Sequence, residues 1–168
     1  MVSWGKDRPS GAFWHFSLEF YGRPGVSAAC LDLQDRFGCD VNLLLFACWV
    51  GVSGRGRLEL ADLAKAQAVV EPWRCGVVEP LRAARRLVKE EADAAECHAA
   101  LEAAELKAER HAQNRLELLA PAALGAAPGE ARHADALANL ALYLGRGAAY
   151  GAAAPIRIAL AAELAQAG

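Results

Sequence analysis

The chain is 168 residues long, 55% hydrophobic and 23% charged, with a formal net charge of -2 and a pI near 6.1. That length suits one domain able to bury a core without disulfide or metal staples. The near-neutral charge supplies no excess of cations for a phosphate backbone, which argues against a general nucleic-acid binder and leaves room only for a local basic patch.

Ala, Leu, Glu and Arg dominate, whereas the β-branched residues of strands are scarce, so the fold class expected is all-α. The five cysteines (Cys30, Cys39, Cys48, Cys75 and Cys97) are an odd number with no CxxC pair. Reduced thiols are expected, without a disulfide framework, a zinc site or any other metal or cofactor. The opening "MVSWGKDRPSG" carries no apolar stretch after its charges, and the longest apolar run, Val41 to Val52, falls short of the roughly 20 residues of a membrane helix. No membrane insertion and a cytoplasmic location follow as expectations.

After an extension over residues 1–9, Ser10 is placed to cap a first helix, "GAFWHFSLEFY". Phe13, Phe16 and Phe20 fall on one side of it, and Trp14, Leu18 and Tyr21 on another. Gly22 is suited to end it in the left-handed conformation, and Pro24 to open a second helix over about 24–37. There Val26, Cys30, Leu33 and Phe37 form one apolar stripe, with Asp32, Gln34, Asp35 and Arg36 off it. Gly38 stops that helix. Asp40 is placed to cap a third, its carboxylate accepting from the exposed amides of the first turn. The run "LLLFACWV" is apolar all round, which marks this helix as central.

Gly51, Gly54 and Gly56 close the third helix, and the three glycines predict a mobile loop. Residues 58–70 read as a fourth helix with Leu60, Leu63, Ala64 and Gln67 along one line, and "VEPWRCG" as a turn or short helical entry. Over residues 77–119, cations (Arg82, Arg85, Arg86, Lys89) precede anions (Glu90, Glu91, Asp93, Glu96), the reverse of what one continuous helix dipole favours. A break near Ala92 is therefore expected, with Asp93 and Glu96 as a capping box, giving helices of about 77–91 and 94–119. One uninterrupted helix is the alternative. An antiparallel hairpin brings Glu102 and Glu105 level with Arg82 and Glu79.

Beyond, residues 120–130 read as a linker and 131–168 as an Ala-rich tail, with a helix in "EARHADALANLALYLG", a flexible joint in "RGAAYGAAAP" and a last helix in "IRIALAAELAQ". The expected architecture is a single bundle of five or six helices over residues 10–119 with a loosely attached helical tail, for which docking onto the core and partial disorder both stay open.

The segments "FWHFSLEFY", "PGVSAACLDLQDRFGCDVNLLLFACWVG", "PLRAARRLVK" and "ELKAERHAQ" resemble a family of short proteobacterial proteins grouped as a domain of unknown function. The resemblance is dense from Phe13 to Gly51, patchier from Trp73 to Leu119, and absent beyond Pro121. It implies a bacterial, cytoplasmic, helical protein and no particular activity, so no catalytic residue is carried over.

Asp35, Asp40 and Asn42 gather around the turn "DRFGCDVN". Two carboxylates and an amide carbonyl suit Mg²⁺, and a diphosphate would bridge such an ion to Arg82, Arg85 or Arg86. The plainer reading makes Asp40 a cap, Asp35 a solvated residue and the arginines partners of glutamates. "DLQD" is a single aspartate pair without the second aspartate-rich helix of isoprenoid synthases, and "WVGVSGRGR" lacks both the Lys-Ser/Thr ending and the βα context of a phosphate loop. Cys39 is the most accessible thiol, but no base accompanies it in sequence. Arg82, Arg85, Arg86 and Lys89 together suit an acidic peptide or an RNA phosphate, against the plainer reading of a Glu-paired face. Exposure among Trp14, Tyr21, Trp49 and Trp73 would favour a partner-binding groove over core packing.

The resulting expectation is a cytosolic interaction or accessory protein with another protein as partner and no catalytic set, its candidate surface comprising Asp35, Asp40, Asn42, Arg82, Arg85 and Arg86. The alternative is an enzyme acting on a small-molecule or phosphate ligand through the same residues. Oligomeric state is left open.

Overall fold

The computed structural model describes residues 11–91, 93–125, 127–145 and 147–166. The extension over residues 1–9, the Ser10 cap and the break point at Ala92 lie outside the described residues. The described chain is all-helical and forms a bundle. In order come α1 (Ala12–Tyr21), α2 (Val26–Phe37), α3 (Val41–Val52), α4 (Leu60–Trp73), a π-helical turn (Arg74–Val78), α5 (Glu79–Val88), α6 (Ala95–Leu119), α7 (Gly129–Leu144), α8 (Ala148–Ala152) and α9 (Ala154–Gln166).

The centre is α3, where every residue from Leu43 to Gly51 is buried. A helix apolar on all sides has no solvent face and must be surrounded. Most of that shell is α7, completed by α6, α1, α2, α4 and α9. From α1, Phe13 packs edge-on to Phe46 at 5.8 Å and stacks with Trp49 at 5.1 Å. From α2, Val26, Cys30 and Leu33 are fully buried and Phe37 packs beside them, the stripe expected from its spacing. Each such Leu or Phe contributes roughly 1.5–3 kcal/mol by leaving water.

Local signals set most element ends. The Asp40 side chain accepts from Asn42 N at 2.8 Å and from Leu43 N at 3.4 Å, capping α3. Gly38, at φ +66°, makes the left-handed turn that allows α3 to follow α2 so closely. Gly22 also ends a helix but stays right-handed at φ -73°, contrary to expectation, because Arg23 and Val26 continue the turn through bonds to Phe20 O and Arg23 O. The capping box belongs to Glu59 and Asp62 at the start of α4, not to Asp93 and Glu96. Asp93 stands one residue too early, since Ala94 precedes the first turn of α6.

"VEPWRCG" is no turn: α4 runs through Pro72 and passes by the π-helical turn directly into α5. Glu79 N donates to Arg74 O, five residues back, and Pro80 has no N–H with which to resume the α register at once. The hairpin of α5 and α6 forms as the charge reversal predicts, so residues 79–119 carry two helices and not one.

Three further expectations are corrected. The tail is not loosely attached: Ala136 and Leu140 of α7 and Ile156 and Leu160 of α9 are fully buried in the common core. Nor is the joint "RGAAYGAAAP" merely a linker, since it contains α8. The glycine loop after α3 is pinned rather than free. Asn139 of α7, itself buried, accepts from Leu58 N at 2.8 Å and donates to Gly56 O at 3.1 Å, while Arg55 donates to Pro121 O.

Candidate functional site: an amphipathic groove

A groove of about 600 Å³ runs between the α5–α6 hairpin on one side and α1 and α2 on the other. Its floor begins with Val41, Asn42 and Leu45 of α3. The second face foreseen on α1 supplies one wall: Phe13 and Phe20 point into the core, so Trp14, Leu18 and Tyr21, about 100° round the helix, face the groove. Along α6, Ala99, Glu102, Ala103, Leu106, Glu109 and Gln113 recur at helical spacing and form the opposite wall. Leu31 and Gln34 come from α2, and Arg82, Arg85 and Arg86 from α5.

At the charged end, Arg82 and Arg85 are satisfied by groove side chains. Arg82 donates through Nε to Glu105 at 2.9 Å, through Nη2 to Glu109 at 2.9 Å and through Nη1 to the Gln34 side-chain carbonyl at 2.8 Å. Arg85 donates to the other oxygen of Glu105 at 2.6 Å. The α2, α5 and α6 helices are thus joined by one guanidinium. Burial alone would push the Glu105 carboxyl up, but the hydrogen bonds from Arg85 and Arg82 outweigh it and hold the carboxyl below its ordinary range. Glu109 goes the other way: its burial and the nearby Glu105 charge outweigh Arg82.

Asn42 accepts from Gln113 Nε2 at 2.8 Å at the inner end. Gln113 is 4% exposed, and its Oε1 is buried without a hydrogen-bond partner. Exchanging the amide O and N of both residues only moves the orphan from Oε1 to the nitrogen.

Behind the groove a hollow of about 90 Å³ is lined by Asp40, Asn42, Arg74, Glu79 and Arg82. Burial raises the Asp40 carboxyl against the lowering influence of its two backbone hydrogen bonds and of Arg74, 3.9 Å away. Arg74 also pairs with Glu71 at 2.6 Å and with Glu79.

Of the residues singled out by sequence, Asn42, Arg82, Arg85 and Arg86 line the groove, Asp40 lines the hollow, and Asp35 joins neither. Asp35 lies 60% exposed on α2, 3.8 Å from Arg86, and does not share the cavity that Asp40 lines. Lys89 is exposed. Sequence reasoning did not place Gln34, Glu109, Leu106 or Gln113 at the site. The spacing Glu102, Glu105, Glu109 and Gln113 carried that signal, for it continues the stripe that meets Arg82. Among the thiols, burial pushes Cys30 up to about 12 and Cys48 higher still, and burial with the Asp40 charge raises Cys39. His15 pairs with Glu19 on the surface, and His111 lies against Trp73.

Fold and site together define an all-α bundle protein with an amphipathic groove beside a closed ion-pair network. Residues 12–116 match the family described as "Protein of unknown function (DUF2390)", and the chain belongs to that family. No curated protein and no solved structure matches the chain. No helix among the described residues is long and apolar enough to cross a membrane.

Proposed function

We propose that the chain is a non-catalytic interaction protein of the bacterial cytosol that binds a partner protein in the groove between α1, α2 and the α5–α6 hairpin. One contrast carries this reading. Arg82 and Arg85 at the groove's end are engaged with Glu105 and Glu109, while Leu18, Leu31 and Leu106 along its edges remain 52%, 46% and 50% exposed. Apolar surface gathered in a groove is what partner binding uses, whereas catalysis needs acids, bases or nucleophiles free to act on a substrate.

The enzyme reading with Asp35, Asp40, Asn42 and the arginines has less support. A phosphate arriving at Arg82 or Arg85 has to displace Glu105, and Asp35 lines neither the groove nor the hollow that holds Asp40. A basic face for RNA is similarly weakened, since Arg82 and Arg85 are held by carboxylates.

The test is capture from a lysate of the source cells with immobilised wild type beside a Leu18→Asp/Leu106→Asp variant, both checked for helicity. Both leucines are half exposed, so the variant spares the core; Arg82 is unsuitable because it joins three helices. The expected result is a protein held by the wild type, lost by the folded variant, and bound again when each is purified. Retention by the variant, or capture of nothing, overturns the proposal.

A further inference from the structure

Apart from the groove and whatever partner it takes, we infer that the hollow behind it binds a small zwitterion, a free α-amino acid of about six non-hydrogen atoms, with its ammonium group at Asp40 and its carboxylate at Gln34. The hollow, of about 90 Å³, lies where Gln34 of α2, the turn from Gly38 to Asn42, and the π-helical turn with the start of α5 come together. The extra residue of a π turn recurs at functional sites, and here the turn brings Arg74 and Glu79 to one cavity.

Hydrogen bonding leaves an acceptor and a donor unmet there. Asp40 Oδ1 takes both bonds of the α3 cap, while Oδ2 accepts none: Arg74 Nε stands 3.9 Å from it, beyond hydrogen-bond reach. Gln34 has the opposite polarity. Its Oε1 accepts from Arg82 Nη1 at 2.8 Å, and a guanidinium only donates, so the amide cannot be turned over and Nε2 remains a donor. Both Asp40 Oδ2 and Gln34 Nε2 keep accessible surface. An ammonium group meets the first and a carboxylate the second, each through a charge-assisted bond.

Charge selects between ligand classes. Asp40, Glu79, Arg74 and Arg82 line the hollow, and the rest of its lining carries no charge. Behind them Arg74 pairs with Glu71 as well as Glu79, Arg82 pairs with Glu105 and Glu109, and Arg85 shares Glu105. The network therefore holds more carboxylates than guanidiniums, and a free anion such as phosphate enters against that excess. A cation without an acceptor of its own leaves the Gln34 donor unanswered. A zwitterion satisfies both ends and adds no net charge.

Size limits the side chain. At about 10–15 Å³ for each water-sized group the hollow admits glycine or alanine and excludes phenylalanine. Glu79, 47% exposed, marks the side open to solvent, and Asp40, 11% exposed, the closed end.

The probe is isothermal titration of the full chain with alanine, methylammonium, acetate, inorganic phosphate and phenylalanine. Alanine should bind saturably and at least about tenfold more tightly than methylammonium or acetate, since each of those makes only one of the two charge-assisted bonds. Phosphate and phenylalanine should not bind. Asp40→Asn keeps a capping acceptor and removes the charge; Gln34→Glu keeps an acceptor for Arg82 and removes the donor. Each should weaken alanine at least about tenfold, whereas Leu18→Asp/Leu106→Asp, in the groove, should leave it unchanged. No saturable alanine binding, methylammonium or acetate binding as well as alanine, binding of phosphate, indifference to Asp40→Asn or Gln34→Glu, or loss in the groove variant each overturn the inference. If circular dichroism shows either hollow variant unfolded, the ligand series on the wild type still decides. Lysate capture through Leu18 and Leu106 stands or falls separately from all of these.

Discussion

The Tyr143 hydroxyl accepts from the Asp40 N–H at 2.8 Å and donates to the Asp40 carbonyl at 3.1 Å. One side chain of α7 therefore grips both main-chain groups of the residue that caps α3. Burial and the neighbouring Asp40 charge push the Tyr143 hydroxyl up, so it stays protonated and able to donate. The grip fixes the α2–α3 turn, and with it Asn42, which begins the groove floor.

Tyr143→Phe removes this grip while keeping the ring. The Asp40 N–H then lies partly buried without its acceptor, at a cost of about 1–3 kcal/mol. For a chain of this size each kcal/mol lowers Tm by about 2–4 °C. Thermal unfolding followed by circular dichroism checks this, and an unchanged Tm would show that the α2–α3 turn is held without α7.

Gly51 faces Ala136 of α7 so closely that a Cβ added there would lie 2.2 Å from Ala136 N and 2.3 Å from its Cα. Gly51→Ala must push the two helices apart at the centre of the core, destabilising by about 1–3 kcal/mol or more. Ala136→Gly gives little rescue, because the clash is with backbone. Denaturant unfolding of the single and double variants measures both effects, and a stable Gly51→Ala chain would contradict so close a crossing.

These positions also mark what could be read from sequence. The Asp40 cap, the α2 stripe and the hairpin pairing of Arg82 with Glu105 depend on spacing within one or two neighbouring elements, and were legible. Small residues were not. Leu60 and Leu63 suggested the buried line of α4, yet Ala66 and Val70 are buried and Leu60 is 72% exposed, because a small Ala lets that helix pack closely. The Ala-rich tail looked weakly attached for the same reason, although Ala136 is what fits against Gly51. The groove was half visible: Trp14, Leu18 and Tyr21 share a face, but periodicity cannot distinguish a face that covers core from one that lines a cleft. Gln113 carries no charge to pair, and only its place at the end of the Glu102, Glu105 and Glu109 stripe marked it.

The thiols should divide by exposure. Cys97 and Cys75 are exposed, whereas Cys30 and Cys48 are buried and held as protonated thiols by desolvation. Brief iodoacetamide treatment at mildly alkaline pH should modify Cys97 readily and Cys75 more slowly, because local desolvation and its hydrogen bond to Glu71 raise the Cys75 thiol. Cys30 and Cys48 should react only after unfolding. Peptide mass spectrometry resolves the four sites, and rapid native labelling of Cys48 would mean that α3 is not enclosed as described.

The ion-pair network makes an acid-side prediction of definite sign. Glu105 is 7% exposed, and its carboxyl is held below the ordinary glutamate value of about 4.3 by Arg85 and Arg82 despite the opposing effect of burial. A folded-state pKa below the unfolded one gives stability that is fully present above the unfolded value and lost as pH falls through the folded one. Glu105→Gln should therefore lower stability at neutral pH by about 1–3 kcal/mol, because Arg82 and Arg85 lose their charged acceptor. The gap to wild type should hold down to about pH 4.3, then narrow below it as the wild-type carboxylate is protonated. Glu109, whose carboxyl is raised, contributes with the opposite sign: its ionised form is disfavoured by burial, so its protonation on acidification relieves a penalty. Urea unfolding of wild type and Glu105→Gln from neutral to acid pH measures the difference directly. A gap that widens on acidification would mean that Arg82 and Arg85 do not stabilise the Glu105 carboxylate in the fold.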